Sequence, residues 1–217
     1  RSVAEAASSD DAIAAFYRAR DYRTLWTGPQ DAGRRQALFA ALATARDHAL
    51  PVARYDAGAL AAGFRGAVTE GDRGRLEIAM SRAWLAFAHD VQGGVLQPSK
   101  VDPGLVREIA RKEPAWLLAG ISGGDPATFI QGLLPKSPEY SRLMREKIEL
   151  EGVIRAGGWG QGVAEGLRTG ADGDAVVLLR DRLTAMGYLG RSVTRTYDRA
   201  IRLAVQRFQS DHGLVAT

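Results

Sequence analysis

Apolar residues recur at three- and four-residue steps along most of the chain, the spacing that gathers them on one face of an α-helix. The clearest stripe is formed by Leu76, Met80, Trp84, Phe87 and Val91. It predicts a long helix over 73–91 that ends at two glycines. No segment shows a convincing strand pattern, although a short hairpin within 158–168 is an open alternative. The pattern therefore predicts an all-α fold.

Residues typical of helix ends mark the boundaries of the other helices predicted before residue 157. Asp10 or Asp11 is placed to cap the first of them, and Asp125 precedes a proline at a first helical position. The predicted helices cover 10–20, 34–50, 57–66, 104–111, 113–120, 126–133 and 138–156. Between them, residues 95–104 are predicted to form a loop. The last helix has a weaker stripe of Leu143, Ile148 and Ile154, and the glycines after it predict a linker.

Two more amphipathic helices are predicted near the C-terminus. The first carries Val176, Leu179, Leu183 and Met186 on one face, and the second carries Ile201, Val205 and Phe208. Asp172 or Asp174 is expected to cap the first helix, and Asp198 lies in the first turn of the second. Gly187 and Gly213 stand where helix C-termini favour a left-handed residue.

This C-terminal stretch carries a sequence signature. Its elements are a V-x-x-L-x-x-R-L helix, a G-Y-L turn and a Y-D…A-V-x-x-F-Q-x-x-x-G-L helix. They are filled here by Val176, Leu179, Arg182, Leu183, Gly187, Tyr188, Leu189, Tyr197, Asp198, Ala204, Val205, Phe208, Gln209, Gly213 and Leu214. The stretch resembles the peptidoglycan-binding domain of bacterial cell-wall enzymes. That family closes a three-helix bundle with a further helix, so the resemblance implies a module that is incomplete at Thr217.

The front of the chain resembles the opening of the large periplasmic L,D-transpeptidases. The resemblance rests on FYRARDYRTLW at 16–26, the segment 34–56, WLAFAHDVQGG, LLPKSPEYSRLM and the GGW turn at 157–159. These enzymes place a helical scaffold before a peptidoglycan-binding domain and a catalytic domain. The resemblance implies a helical scaffold domain at 1–160 and a peptidoglycan-binding domain at 168–217.

The catalytic domain of that family uses a cysteine nucleophile with histidine, and this sequence has no cysteine. A thiolate cannot be replaced by any serine–histidine pairing in the chain. We therefore predict no catalytic residue here and an inactive chain, with the catalytic domain as a missing partner in cis. The resemblance implies a periplasmic location, with an inner-membrane anchor removed before Arg1 as one reading of the non-methionine start.

Six residues are predicted to contact the wall polymer: Tyr188, Arg191, Arg195, Tyr197, Asp198 and Gln209. Arginine can pair bidentately with the carboxylates of peptide stems, and tyrosine can lie against sugar or peptide while donating a hydrogen bond. The alternative is that Tyr188, Tyr197 and Gln209 serve folding. Exposed apolar surface on Leu183 or Phe208 would instead favour a homodimer through the incomplete module.

Composition narrows the partners further. The formal net charge is +4, and residues 168–217 hold eight basic and five acidic side chains. This modest excess suits a polymer that bears carboxylates, but a solvated surface is the simpler explanation of it. The charge is too small and too interleaved for nucleic acid. The three histidines, His48, His89 and His212, lack zinc spacing, so we expect neither a metal nor a cofactor.

Other reactive or aromatic side chains have simpler explanations. Solvated helix faces account for Glu77, Glu113, Glu149 and Glu151, which a lytic enzyme would need as acids. His48 is expected to interact with carbonyls at a helix end. Trp84 and Trp116 are expected in the core, and Trp159 in an exposed or interdomain position. Two other functions stay open: a stand-alone peptidoglycan-binding adaptor, and the helical part of a lytic cell-wall enzyme.

Overall fold

The computed structural model describes residues 2–7, 10–106 and 109–217. The chain divides into two compact units, one ending at Met144 and one covering Arg145–Thr217. We call them the scaffold unit and the C-terminal unit. The sequence-based domain limits, 1–160 and 168–217, stay predictions.

Helices make up both units, which confirms the predicted all-α class. The α-helices of the described residues are α1 (Ser2–Ala7), α2 (Asp11–Ala19), α3 (Ala32–Ala43), α4 (Ala57–Gly66), α5 (Glu70–Gly93), α6 (Pro98–Val101), α7 (Pro114–Ser122), α8 (Pro126–Leu133), α9 (Pro138–Arg155), α10 (Asp174–Ala185) and α11 (Arg199–Asp211). Short 3-10 helices cover Pro29–Asp31 and Val52–Arg54. The only β-pairing within the described ranges is an antiparallel bridge between Asp172 and Thr196. No helix in these ranges is both long and apolar enough to cross a membrane.

Hydrogen bonds at the helix ends explain why some predicted helix boundaries agree with the structure and others do not. α4 and α8 begin and end where predicted, behind Asp56 and Asp125, whose carboxylates accept backbone N–H bonds from the first turns. The helix predicted over 34–50 ends at Ala43, because the chain turns at Thr44, whose hydroxyl bonds the Ala41 carbonyl.

The helix predicted over 104–111 is wrong for 104–106 and 109–111, which are not helical; residues 107–108 lie outside the described part. Asp102 instead accepts a 2.8 Å hydrogen bond from the Gly104 amide and forms a turn. The predicted loop at 95–104 contains the short helix α6.

The central helix α5 organises the scaffold unit. Thr69 and Asp72 close its N-terminus with reciprocal backbone hydrogen bonds of 3.1 and 2.9 Å. The helix α1, which the sequence did not predict, packs closely against it. A Cβ at Gly74 would lie 2.7 Å from the Ser2 carbonyl carbon, so this approach requires glycine.

The carboxylate of Glu77 is fully buried at the centre of the scaffold unit, so the prediction of a solvated face for this residue is wrong. It accepts hydrogen bonds from the Tyr17 hydroxyl at 2.7 Å and from the Thr27 hydroxyl and amide at 2.7 and 2.8 Å. The amides of Leu25 and Trp26 also donate to it. A side chain of α5 thus holds the segment before α3 in place.

A second polar link joins α3 to α7. The guanidinium of Arg34 donates to the carbonyls of Ile121 and Ser122 at 2.9 and 3.1 Å. It also donates to the Leu25 carbonyl at 2.7 Å and pairs with the buried Asp31 at 2.9 Å. One arginine therefore satisfies carbonyls at the C-terminal end of α7 and in the segment held by Glu77.

Two aromatic and apolar expectations are corrected by the exposure of the side chains. Trp84 is fully buried as predicted, but Trp116 is 47% exposed. Trp159 is half-buried, and its expected exposed or interdomain position stays a prediction. The expected stripe of α9 is not a buried face: Leu143, Ile148 and Ile154 are all exposed.

Candidate functional site

Helices α10 and α11 begin at the same end of the C-terminal unit. The bridge between Asp172 and Thr196 brings the residues before α10 beside those before α11. At the other end, the rings of Tyr188 and Phe208 meet edge to face at 5.5 Å. The segment between the helices therefore runs back along α10. We call the end with Asp172 and Thr196 the starting end, and the end with Tyr188 and Phe208 the finishing end.

A small apolar core holds the two helices together. Its buried members are Val176, Leu183, Tyr197, Ile201 and Ala204, with Leu167, Ala171, Leu179, Tyr188, Leu189, Val205 and Phe208 packed around them. Leu183 is only 3% exposed. The expectation that it offers apolar surface for a homodimer is therefore wrong, because its side chain is used within the unit.

The starting end is built by polar contacts between the two helix beginnings. The residue that precedes α10 is Gly173, with φ of 112°, and no side chain caps the helix. The expected capping carboxylates act differently, since Asp174 pairs with Arg195 at 2.7 Å and Asp172 accepts the Thr196 hydroxyl at 3.0 Å. Both interactions tie the approach to α11 onto the start of α10.

Three of the predicted contact residues lie at this starting end. Arg195 is exposed, and Asp198 caps α11 by accepting the Ile201 amide at 3.0 Å. Tyr197 is 6% exposed and lies in the core, while its backbone N–H donates to the Ala171 carbonyl at 2.7 Å. Asp198 and Tyr197 thus have clear folding roles, and Arg195 presents its charge to solvent.

Two other predicted residues lie at the finishing end. The half-buried Tyr188 follows Gly187, whose φ of 80° ends α10 as expected. Gln209 bonds Thr217 through both groups of its amide, at 3.0 and 3.1 Å. Arg191 is exposed in the segment that leaves this end. The structure therefore divides the six predicted residues rather than gathering them in one cleft.

Two of the predicted contact residues are tyrosines whose pKa is raised above its ordinary value. Burial raises the pKa of Tyr188 above its ordinary value of 10.0, and the Asp211 carboxylate raises it further. Burial also raises the pKa of Tyr197, against the opposing effect of Arg202. Both hydroxyls are protonated at neutral pH, as ordinary tyrosines are, and that of Tyr188 already donates to the Asp211 carboxylate.

A mainly apolar groove of about 280 Å³ lies between α10 and α11. It is lined by Val163, Leu179, Arg182, Leu183, Met186, Val205, Phe208, Gln209 and Leu214. Arg182 donates to the Gln161 carbonyl at 3.2 Å, which brings the chain before α10 to the rim. Sequence periodicity predicted the helical residues that line this groove. It did not predict that Val163, which lies outside the helices, also lines it.

The histidines of the scaffold unit have local partners. The ring of His48 stacks on Tyr140 and its Nδ1 bonds the Tyr140 hydroxyl, while its expected contact with helix-end carbonyls stays a prediction. His89 Nε2 lies 3.0 Å from the Lys112 carbonyl oxygen. Among the residues that the structure describes, no three histidine or acidic side chains are grouped to hold a metal ion.

Comparison with known families follows the division into units. The Scaffold domain family model matches residues 11–146, and a peptidoglycan binding domain model matches residues 172–217. No curated protein and no solved structure matches the chain. The first model covers well over half of the 217 residues. The chain therefore belongs to the Scaffold domain family and carries a match to the peptidoglycan binding domain after it.

Proposed function

We propose that this chain is the non-catalytic, peptidoglycan-binding part of a periplasmic L,D-transpeptidase, which it holds on the cell wall. The observation that carries the proposal is the peptidoglycan binding domain at 172–217 behind a Scaffold domain. That order is the one implied by the resemblance of the chain to these enzymes. The cell-wall partner rests on the domain match, and the transpeptidase parent rests on the resemblance.

The exposed arginines of the C-terminal unit are the best-placed groups for binding. Peptide stems of the wall carry carboxylates, which guanidinium groups bind with two parallel hydrogen bonds. Arg191 is exposed, and Arg195 is 58% exposed while it pairs with Asp174. An exposed ion pair of this kind contributes little, so a stem carboxylate can displace Asp174 from Arg195. Tyr188 adds a protonated hydroxyl at the finishing end.

Binding to insoluble peptidoglycan tests the first half of the proposal. Purified chain is mixed with wall sacculi, and the bound fraction is measured after sedimentation. We expect the double variant Arg191→Ala/Arg195→Ala to bind at least about tenfold more weakly, a loss typical of removing charged hydrogen bonds. The matched control is Arg73→Ala, which removes an exposed arginine of α5. Equal binding by the double variant and the wild type would contradict the assigned contacts.

The coding sequence downstream of Thr217 tests the second half. A Ser-His-Gly-Cys domain there supports the transpeptidase parent, since the chain itself contains no cysteine. A stop codon after one more helix favours the stand-alone peptidoglycan-binding adaptor instead.

A lytic enzyme is the third reading, and the burial of Glu77 removes one of the four glutamates considered as its acid. Glu77 is buried and already accepts several hydrogen bonds, so it cannot reach a glycosidic oxygen. Glu151 pairs with Lys147 at 2.8 Å, and Glu113 and Glu149 are exposed. Release of soluble fragments from sacculi, lost on mutating one glutamate, would reverse this conclusion.

A further inference from the structure

A cleft between α4 and α5 of the scaffold unit combines an apolar lining with charged groups. Its volume is about 430 Å³, and small-molecule sites typically measure ~300–1,000 Å³. Two arginines, Arg54 and Arg82, line it. The apolar part of the lining includes Ala59, Leu60, Leu76, Ala83 and Ala86. A few charged groups on a mostly apolar lining are the usual composition of a ligand site.

The guanidinium of Arg54 is anchored by a buried carboxylate. Its Nε lies 2.6 Å from Oδ2 of Asp90, which also accepts the Tyr55 hydroxyl at 3.0 Å. Asp90 is buried, whereas the side chain of Arg54 is 53% exposed. Because this ion pair uses Nε, the Nη1 and Nη2 atoms have no hydrogen-bond partner among the residues that the structure describes. The edge of the guanidinium that can hold a carboxylate with two parallel hydrogen bonds is therefore available.

Arg82 brings a second positive charge to the same cleft. Arg82, Ala86 and Asp90 follow one another at four-residue steps along α5 and so lie on one face of the helix. Ala86 therefore separates the position of Arg82 from that of Asp90, to which Arg54 is held. The alanine surface of the cleft thus has an arginine on either side along the helix.

An acidic residue, Asp56, also lines the cleft. Its carboxylate accepts the Ala59 amide at 3.1 Å and caps α4, where the positive end of the helix dipole offsets its charge. The carboxylate of Asp90 is buried and paired with Arg54. Two arginines against one capping carboxylate leave the lining with an excess of positive charge, which favours an anionic ligand.

We propose that this cleft binds the terminal carboxylate of a short peptide, and that in the cell wall this peptide is a stem of peptidoglycan. Nη1 and Nη2 of Arg54 donate to the two carboxylate oxygens, and Arg82 adds its positive charge. The small side chain next to the carboxylate lies on Ala83 and Ala86. The stem as the source of the peptide rests on the proposed function, but the site uses no residue of the C-terminal unit.

The lining favours a peptide carboxylate over an inorganic anion. Alanine methyl groups from both helices form a shallow apolar surface beside the arginines. An inorganic anion would leave this surface in water, whereas a terminal residue with a small side chain would cover it. A planar carboxylate also matches the two parallel donors of a guanidinium.

The test is an NMR titration of the full chain with acetyl-Ala-Ala-Ala as the free acid, its C-terminal amide, and inorganic phosphate. We expect the free acid to shift the Arg54 Nε–H signal and the methyl signals of Ala83 and Ala86. The methyl signal of Ala204, which is buried in the C-terminal unit, should not move. The amide should bind at least about tenfold more weakly, because it lacks the charged acceptor.

These titrations need no variant to contradict the inference. Equal binding of the free acid and the amide, or no shift with the free acid, would overturn the carboxylate contact. Phosphate that binds as tightly as the free acid would overturn the contribution of the peptide.

Variants then test the role of each arginine. Arg54→Lys keeps a positive charge beside Asp90 but replaces the two parallel donors by one ammonium group. It should weaken binding of the free acid at least about tenfold while the urea midpoint stays close to that of the wild type. Arg82→Ala should weaken binding about two- to fivefold, as expected for an exposed charge. The matched control is Arg73→Ala, at an exposed arginine of α5 outside the lining. Unchanged binding in Arg54→Lys would contradict the paired hydrogen bonds.

A soluble muropeptide with a free stem carboxylate separates this inference from the proposed function. If the wild-type chain binds sacculi but neither the muropeptide nor the free acid shifts Arg54, only the cleft site is wrong. If the free acid shifts Arg54 but the wild type does not bind sacculi, the proposed function fails and the carboxylate site remains. A muropeptide that leaves Arg54 unmoved while the free acid shifts it would overturn the stem as the source.

Discussion

The hydroxyl of Tyr17 in α2 donates a 2.7 Å hydrogen bond to the carboxylate of Glu77 in α5, sixty residues further along the chain. The same carboxylate holds the amides of Trp26 and Thr27. Because the Glu77 side chain is fully buried, these hydrogen bonds lie within the core of the scaffold unit. Glu77 therefore determines the path of the chain between α2 and α3.

Replacing Glu77 by glutamine should destabilise the scaffold unit by about 2–4 kcal/mol, since a buried charged acceptor is lost and amide hydrogens face existing donors. Near-ultraviolet circular dichroism of the buried tryptophans during urea unfolding measures the loss. The control is Glu70→Gln, at an exposed position of the same helix. Equal unfolding midpoints for both variants would show that the network contributes little.

Gly120→Ala should destabilise the scaffold unit by about 1–3 kcal/mol, because the added methyl group overlaps the ring of Phe129. The control is Gly132→Ala in α8, where a Cβ meets open space, and it should be neutral or stabilising by up to about 1 kcal/mol. Thermal unfolding compares the two. Adding Phe129→Ala to Gly120→Ala should remove the penalty of the extra methyl group, which separates overlap from a general intolerance at residue 120.

Asp198→Ala should lower the stability of the C-terminal unit by about 1 kcal/mol through loss of the α11 cap. Asp198→Asn should keep most of that stability, since its amide oxygen can accept the same bond. Asp174→Ala is the matched control, because the ion pair of Asp174 with Arg195 is exposed and contributes little to stability. The protection of the α11 amides from hydrogen exchange compares the three variants with the wild type. Equal protection in Asp198→Ala and the wild type would show that the cap does not stabilise α11.

The scaffold unit should lose stability in alkaline solution. Burial raises the pKa of Tyr17 and of Tyr55 above the ordinary value of 10.0, and the acceptors Glu77 and Asp90 raise them further. Above pH 10 the unfolded chain releases these protons while the folded chain retains them. The stability is therefore fully present below pH 10 and falls as the pH rises beyond it.

Urea unfolding at pH 8 and pH 11 tests this dependence. Tyr55→Phe should show a smaller fall in stability between the two pH values, because phenylalanine has no proton to release. The comparison variant is Tyr22→Phe, at a tyrosine that is 37% exposed. A fall in Tyr55→Phe as large as that of the wild type would assign the pH dependence to other groups.

Local signals predicted the helices that depend on local interactions. Asp125 before Pro126 gave the start of α8 correctly, because the cap and the proline act within one turn. The left-handed glycines at 187 and 213 were predicted for the same reason. The family signature predicted the peptidoglycan-binding domain, which a family model matches at residues 172–217, since its helices and turns stand at fixed spacing.

Interactions over long sequence distances escaped prediction. Glu77 looks like a surface residue until the segment 25–27 is folded against it. Trp116 looks like a core residue unless one knows that Phe129 fills the space beside Gly120. The apparent capping role of Asp174 failed because Arg195, twenty-one residues away, pairs with it. In each case the partner is set by tertiary packing rather than by neighbours in the chain.

Arg34 links the segment just before α3 to the distant C-terminal end of α7, which bears on how the scaffold unit opens. Its guanidinium bonds carbonyls at Leu25, Ile121 and Ser122. If any of these carbonyls moves away, the half-buried guanidinium loses a hydrogen-bond acceptor. The segment before α3 and the last turn of α7 should therefore open together as one cooperative unit, with a shared opening rate, even though about ninety residues separate them.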